Sequence, residues 1–149
     1  GLQMILRKSL LKVDKELFSL AGLYAVVVVL YVFFEKFIIN YRPVIMPDET
    51  EPAASFPSSH TMLICVIMGS TMVLSEKYLK RYIENKTVRD TIKALCGFFI
   101  VLTVFGRLAC GVHWFTDILG GVLISIALVA AFAGVIDMIR ARRRQKLAK

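Results

Sequence analysis

Four long apolar stretches constrain what this chain can become. They run over residues 17–39, 58–75, 92–110 and 117–137. At about 1.5 Å of rise per residue, a helix over each would cover most of a hydrocarbon layer about 30 Å thick. A helix lying on a water-soluble core carries polar residues at every third or fourth position, and these stretches do not. The composition agrees, since 57% of the 149 residues are hydrophobic and the mean hydropathy is +0.67. Globular domains hold about 45–50% apolar residues. The expectation is an all-α, polytopic transmembrane helical bundle with four spans, a single membrane domain over 1–149 that ends in a basic tail at 140–149.

A net charge of +8 would also suit a nucleic-acid partner, but the placement of the charge argues for a membrane. Basic residues cluster before the first span (Arg7, Lys8, Lys12, Lys15), between the second and third (Lys77, Lys80, Arg81, Lys86, Arg89, Lys93) and in the tail (Arg140, Arg142, Arg143, Arg144, Lys146, Lys149). With four spans these segments share one side, and the excess of positive charge makes that side cytoplasmic. The reading is an integral protein of the cytoplasmic membrane with both ends of this chain inside, and no nucleic acid is expected as a partner. Asn85-Lys86-Thr87 matches a glycosylation acceptor, yet on this topology it faces the cytoplasm and stays unmodified.

Lys36, Arg42 and Arg107 remain, and all three map to the opposite, extracytoplasmic end together with both histidines, His60 and His113. A long basic side chain near a helix end can simply snorkel to the interface. Three cations gathered with two imidazoles call for a shared cause. The connection between the first two spans holds all four prolines, Pro43, Pro47, Pro52 and Pro57, so it is not expected to be helical. It reads either as a rim over a site or as a solvated linker. The three cysteines, Cys65, Cys96 and Cys110, lack metal-binding spacing and fall in apolar stretches, where they are expected as small buried hydrophobes.

The residues that carry chemistry stand at two junctions. Pro57-Ser58-Ser59-His60 leads into the second span, with Ser58 as the expected N-cap. The free amides of that first turn and the helix dipole make an anion site, with His60 at its mouth. Arg107 closes the third span, His113 follows six residues later, and Asp117 four after that opens the fourth. A histidine and an aspartate four apart can meet on one helical face, where the carboxylate fixes the tautomer and raises the basicity of the other ring nitrogen. Fixed cations and a helix N-terminus would hold a phosphoryl group. One histidine could then attack phosphorus while the other protonates the leaving oxygen. No acidic cluster on this face could seat a magnesium ion, so neither metal nor cofactor is expected.

These residues resemble the type 2 phosphatidic acid phosphatase (PAP2) superfamily, membrane lipid phosphatases that share a core fold with vanadium haloperoxidases. Its three motifs are K-x6-R-P, P-S-G-H and S-R-x5-H-x3-D. Here the third reads Gly106-Arg107, then His113 and Asp117 at the family spacing, with glycine for the leading serine. The second reads Pro57-Ser58-Ser59-His60, with serine for glycine, and the first runs from Lys36 to Arg42-Pro43 with five intervening residues instead of six. The resemblance implies His113 as a nucleophile forming a phosphohistidine, Asp117 as its orienting partner and His60 as general acid. It implies Lys36, Arg42, Arg107, Ser58 and Ser59 as phosphate ligands, the last through its amide. The shortened first motif turns Lys36 by about 100° around a continuing helix, which weakens its place in that set.

The implied activity is metal-independent hydrolysis of a lipid-linked phosphate or diphosphate at the outer membrane face, with the bilayer and a membrane lipid phosphate as partners. Phosphatidate, phosphatidylglycerol phosphate and polyprenyl diphosphate are the candidate substrates. A phosphotransferase of the same fold and a non-catalytic anion-binding bundle are the alternatives. Many bacterial members have six spans, so the resemblance implies a chain lacking two N-terminal helices. Leu2–Leu6 followed by Arg7-Lys8 then reads as the end of an earlier span, with an amphipathic surface helix over Leu2–Phe18 as the competing reading.

Overall fold

A computed structural model describes residues 14–47 and 49–148 of the chain. The expectations for Leu2–Leu6 and Arg7-Lys8, and most of the proposed surface helix, lie outside the described residues. The described residues form four α-helices: α1 (Lys15–Lys36), α2 (Ser59–Lys77), α3 (Lys86–Ala109) and α4 (Phe115–Leu147), with a short 3-10 turn at Leu79–Arg81. All four are long and apolar enough to cross a membrane. The chain is therefore read as an integral membrane protein.

The helix ends depart from the apolar boundaries for local reasons. The first helix stops at Lys36 although the apolar run continues to Ile39: Phe37, at φ −103° and ψ 81°, leaves the helical conformation while its amide still donates to Phe33 O. The third begins at Lys86, well before the apolar run, since Asn85 caps it by accepting a hydrogen bond from the Thr87 amide at 2.9 Å. The Asn85-Lys86-Thr87 triplet thus works as a helix start. The fourth continues through the basic tail to Leu147. Arg143 reaches back from that extension to the buried Glu16 carboxylate at 3.3 Å, tying α4 to the start of α1.

The second helix is the hub, packing most extensively on α4 and α3, while α1 leans on α4. Leu23 and Val27 of α1, Met62, Val66 and Leu74 of α2, and Phe132 and Ile136 of α4 form the core together with Tyr78. The outward faces of α1 and α3 remain apolar, with Val28, Val29, Phe98, Val101 and Phe105 exposed. Lipid is the solvent that suits such faces.

Two glycines let the ends of α2 and α4 meet. A Cβ on Gly121 would stand 3.0 Å from the Ser58 carbonyl oxygen and 3.3 Å from the Met62 nitrogen. A Cβ on Gly120 would overlap the Phe56 ring, which also packs edge-on against Phe34 with centroids 5.7 Å apart. The Gly120-Gly121 pair therefore serves contacts within the chain. Cys65 and Cys96 are buried as expected, but Cys110 is exposed. It sits at the C-cap of α3, where the chain turns out of the bundle through Gly111 at φ 65°.

Gly121→Val should lower stability by about 1–3 kcal/mol, the usual cost of forcing extra atoms into a packed contact. Thermal unfolding in detergent will register the loss, whereas Gly97→Ala, with open space at its Cβ position, should leave the melting temperature nearly unchanged.

Candidate active site

Asp117 is completely buried at the start of α4 and gathers three donors. Its Oδ2 accepts from the Trp114 amide at 3.0 Å and from the Ser55 hydroxyl, and its Oδ1 accepts from the Asn40 side-chain amide at 2.9 Å. Its backbone carbonyl accepts from the Ser58 amide at 3.0 Å, fastening α4 to the entry of α2. The proline-rich loop is thus a built rim and not a free linker. Its two ends pair through an antiparallel bridge between Tyr41 and Ala54, Arg42 N–H donates to Ala53 O at 3.0 Å, and the Trp114 indole donates to Tyr41 O at 2.9 Å.

The relation between His113 and Asp117 differs from the helical pairing that their spacing suggests. His113 lies outside the helix, one residue before the Trp114 N-cap, so the two side chains do not stack one turn apart. Nδ1 of His113 stands 3.7 Å from Asp117 Oδ2, and the Ser55 hydroxyl fills the gap, 3.1 Å from Nδ1. Ser55 donates to the carboxylate, so its oxygen is free to accept Nδ1–H. That arrangement leaves Nε2 unprotonated. Nε2 is buried, and no protein group among the described residues bonds it. The buried Nε atoms of Arg42 and Arg107 and the Oδ1 of Asn40 also lack partners among the described residues. Buried polar atoms are normally satisfied, and a polar ligand at this end of the bundle would meet these four.

His113 lines a small recess with Arg42, Ser55, Ser59, Tyr31, Phe34 and Glu35. His60 lies beside it, in an apolar groove of about 330 Å³ between α1 and α2 walled by Val27, Val28 and Leu63. Ser59, Tyr31 and Met62 line both spaces. The charges of Arg42 and Arg107 bear on both imidazoles. The two histidines and both arginines named from the sequence therefore gather at one end of the bundle.

Ser58 and Lys36 stand differently from expectation. Ser58 occupies the N-cap position and is fully buried, but its side chain makes no capping bond; its oxygen accepts from the Thr61 hydroxyl at 3.0 Å. Among the described residues, nothing accepts from the amides of Ser59 and His60, which keeps the first turn of α2 available to an anion. Glu35 and Lys36 are both exposed at the end of α1; Glu35 borders the recess and Lys36 does not. The rotation of one residue along a continuous helix accounts for that difference. Ser55 and Asn40 gave little warning in the sequence. A lone amide at the edge of an apolar run was the faint signal for Asn40, and Ser55 had none.

Burial lowers the pKa of His113, the nearby positive charges of Arg107 and Arg42 lower it further, and Asp117 opposes them. A base with a depressed pKa stays neutral at pH 7 and takes its proton only as pH falls below the free-imidazole value of about 6.5. Nitrogen-15 histidine spectra of the detergent-solubilised protein should show the Nδ1–H tautomer for His113 with a midpoint below that value. Ser55→Ala should move the Nδ1 resonance and leave that of His60 in place.

The family model of the PAP2 superfamily matches residues 16–141. The chain is 30% identical over 112 residues to phosphatidylglycerophosphatase B of Bacillus subtilis (strain 168), a match covering 75% of this chain and 53% of that protein. It thus spans about half the length of the curated relative it matches. No solved structure gives a significant match. The family match runs through all four helices and takes in Arg42, His60, Arg107, His113 and Asp117, so the chain belongs to the PAP2 superfamily.

Proposed function

We propose that the chain hydrolyses a lipid-linked phosphate at the extracytoplasmic face of the cytoplasmic membrane through a phosphohistidine. The observation that carries this reading is the His113 ring, held at Nδ1 through Ser55 and Asp117 with its buried Nε2 open beside Arg42. The similarity to a phosphatidylglycerophosphatase supports a lipid substrate. So does the apolar groove beside His60, which suits an acyl or prenyl tail lying between α1 and α2.

In this reading Nε2 attacks phosphorus and the bond to the leaving oxygen breaks. Protonated His60 delivers its proton to that oxygen and then, as a neutral base, takes one from the water that cleaves the phosphorus–nitrogen bond. Inorganic phosphate leaves and His113 is regenerated. Asp117 and Ser55 hold the tautomer and stabilise the charge that develops on the ring. Arg42, Arg107 and the amides of Ser59 and His60 meet the negative charge on the equatorial oxygens. Ser58 supports that turn from beneath, and Lys36 contributes long-range positive potential at the mouth.

The orientation rests on the basic ends of the helices. Lys77, Lys86, Arg89, Arg140 and Arg144 all lie at the end of the bundle away from His113, and positive charge favours the cytoplasmic side. Purified protein should release phosphate from lipid phosphates in the presence of EDTA and be inhibited by vanadate. His113→Ala should reduce turnover by at least about a thousandfold, as expected for loss of a nucleophile; release equal to that of the wild type would remove the reading. For orientation, a membrane-impermeant maleimide applied to intact cells should label the exposed Cys110. Labelling only after the cells are opened would reverse the assignment of faces.

A further inference from the structure

At the end of the bundle away from His113, a groove of about 280 Å³ opens between the start of α1, the end of α2 and the last turns of α4. Lys77 from α2, Lys80 from the turn after it, and Arg140, Arg143 and Arg144 from α4 line it. Two of these cations are already engaged. Lys77 bonds Asp137 at 2.5 Å and the Ala133 carbonyl at 3.3 Å, and Arg143 reaches Glu16 Oε1 at 3.3 Å. Lys80, Arg140 and Arg144 make no hydrogen bond or ion pair among the described residues.

The same groove holds a carboxylate with an unmet oxygen. Glu16 is buried and lines the groove, and its Oε2 has no hydrogen-bond partner among the described residues. A buried carboxylate oxygen is costly to leave without a donor, and it can only accept. The groove thus offers free cations to an anion and an acceptor to a hydroxyl. Depth selects the anion. Arg140 stands about 35 Å along α4 from Asp117, beyond a hydrocarbon layer about 30 Å thick and within a bilayer of about 40–45 Å with its headgroups. Phospholipid headgroups occupy that layer, and basic pockets between membrane helices hold the anionic ones.

We propose that this groove binds one anionic phospholipid of the leaflet opposite the active site. Lys80, Arg140 and Arg144 meet its phosphodiester, and a hydroxyl of a polyol headgroup donates to Glu16. The bound lipid joins the start of α1 to α2 and to the extended end of α4, which stabilises the bundle at the end remote from His113. The site is separate from the recess and does not depend on the phosphatase reading.

The test uses the full chain, delipidated in detergent, with lipid binding read by native mass spectrometry and by thermal unfolding. Phosphatidylglycerol should bind at least about tenfold more tightly than phosphatidylcholine and raise the melting temperature. Replacing both free arginines, Arg140→Gln with Arg144→Gln, should weaken phosphatidylglycerol binding by about 20–30-fold, at about fivefold per cation. Neither arginine lines the His113 recess or makes a bond within the fold, so the lipid-free melting temperature should not change. Phosphatidylmethanol has the same charge and no headgroup hydroxyl. It should bind about tenfold more weakly than phosphatidylglycerol, the worth of a hydrogen bond to a charged acceptor. Glu16→Gln, which keeps the shape and removes the charge, should narrow that gap. Equal binding of phosphatidylglycerol and phosphatidylcholine, indifference to the double substitution, or no preference over phosphatidylmethanol overturns the proposal. Displacement of the lipid by excess glycerol 3-phosphate also overturns it, because the groove would then be a site for a soluble phosphate.

Discussion

The buried carboxylate of Asp117 is the interaction on which the arrangement of this molecule depends. A carboxylate out of water is costly unless several donors meet it. Here the donors come from three separate places in the chain: the stretch just after α1 (Asn40), the loop before α2 (Ser55) and the turn before α4 (Trp114). Satisfying one charge therefore closes the rim, sets the entry of α4 and fixes the ring of His113. The carbonyl of the same residue secures the first turn of α2 through the Ser58 amide. Removing the carboxylate would leave several buried donors unmet at once, which costs more than the loss of one bond.

The membrane imposes the second constraint. Irregular backbone near the hydrocarbon layer needs partners, and the proline-rich segment finds them in its own Tyr41–Ala54 bridge, in the Trp114 indole and in Asp117. The close approach of α2 and α4 at Gly121 brings the free amides of the α2 start beside the turn that holds His113. One feature of helix packing thus serves both the fold and the anion-binding chemistry.

Much of this was legible in the amino-acid order. Apolar runs gave the four helices, because local composition encodes them directly, and the resemblance in R-x5-H-x3-D and P-S-x-H singled out Arg107, His113, Asp117 and His60, which lie at one end of the bundle. Ser55 was not legible. It lies 58 residues from His113, and nothing local marks a serine in a loop as the link between an imidazole and a carboxylate. The direct His113–Asp117 contact inferred from a four-residue spacing gave way to a bridged one, since the helix begins after the histidine. Cys110 looked like a buried hydrophobe because its neighbours are apolar, but a turn carries it outward.

The sequence by itself determined a membrane-spanning helical chain with its basic ends on one side and a set of ionisable groups on the other, because hydropathy, helical rise and charge placement are properties of contiguous residues. Only the tertiary structure decided which of those groups face one another. It bridged His113 to Asp117 through Ser55, brought Asn40 to the same carboxylate, and left Lys36 outside the recess. The physical reason is that a one-residue step turns a helical side chain by about 100°, and loop closure joins groups far apart along the chain. Neither effect leaves a mark on local composition.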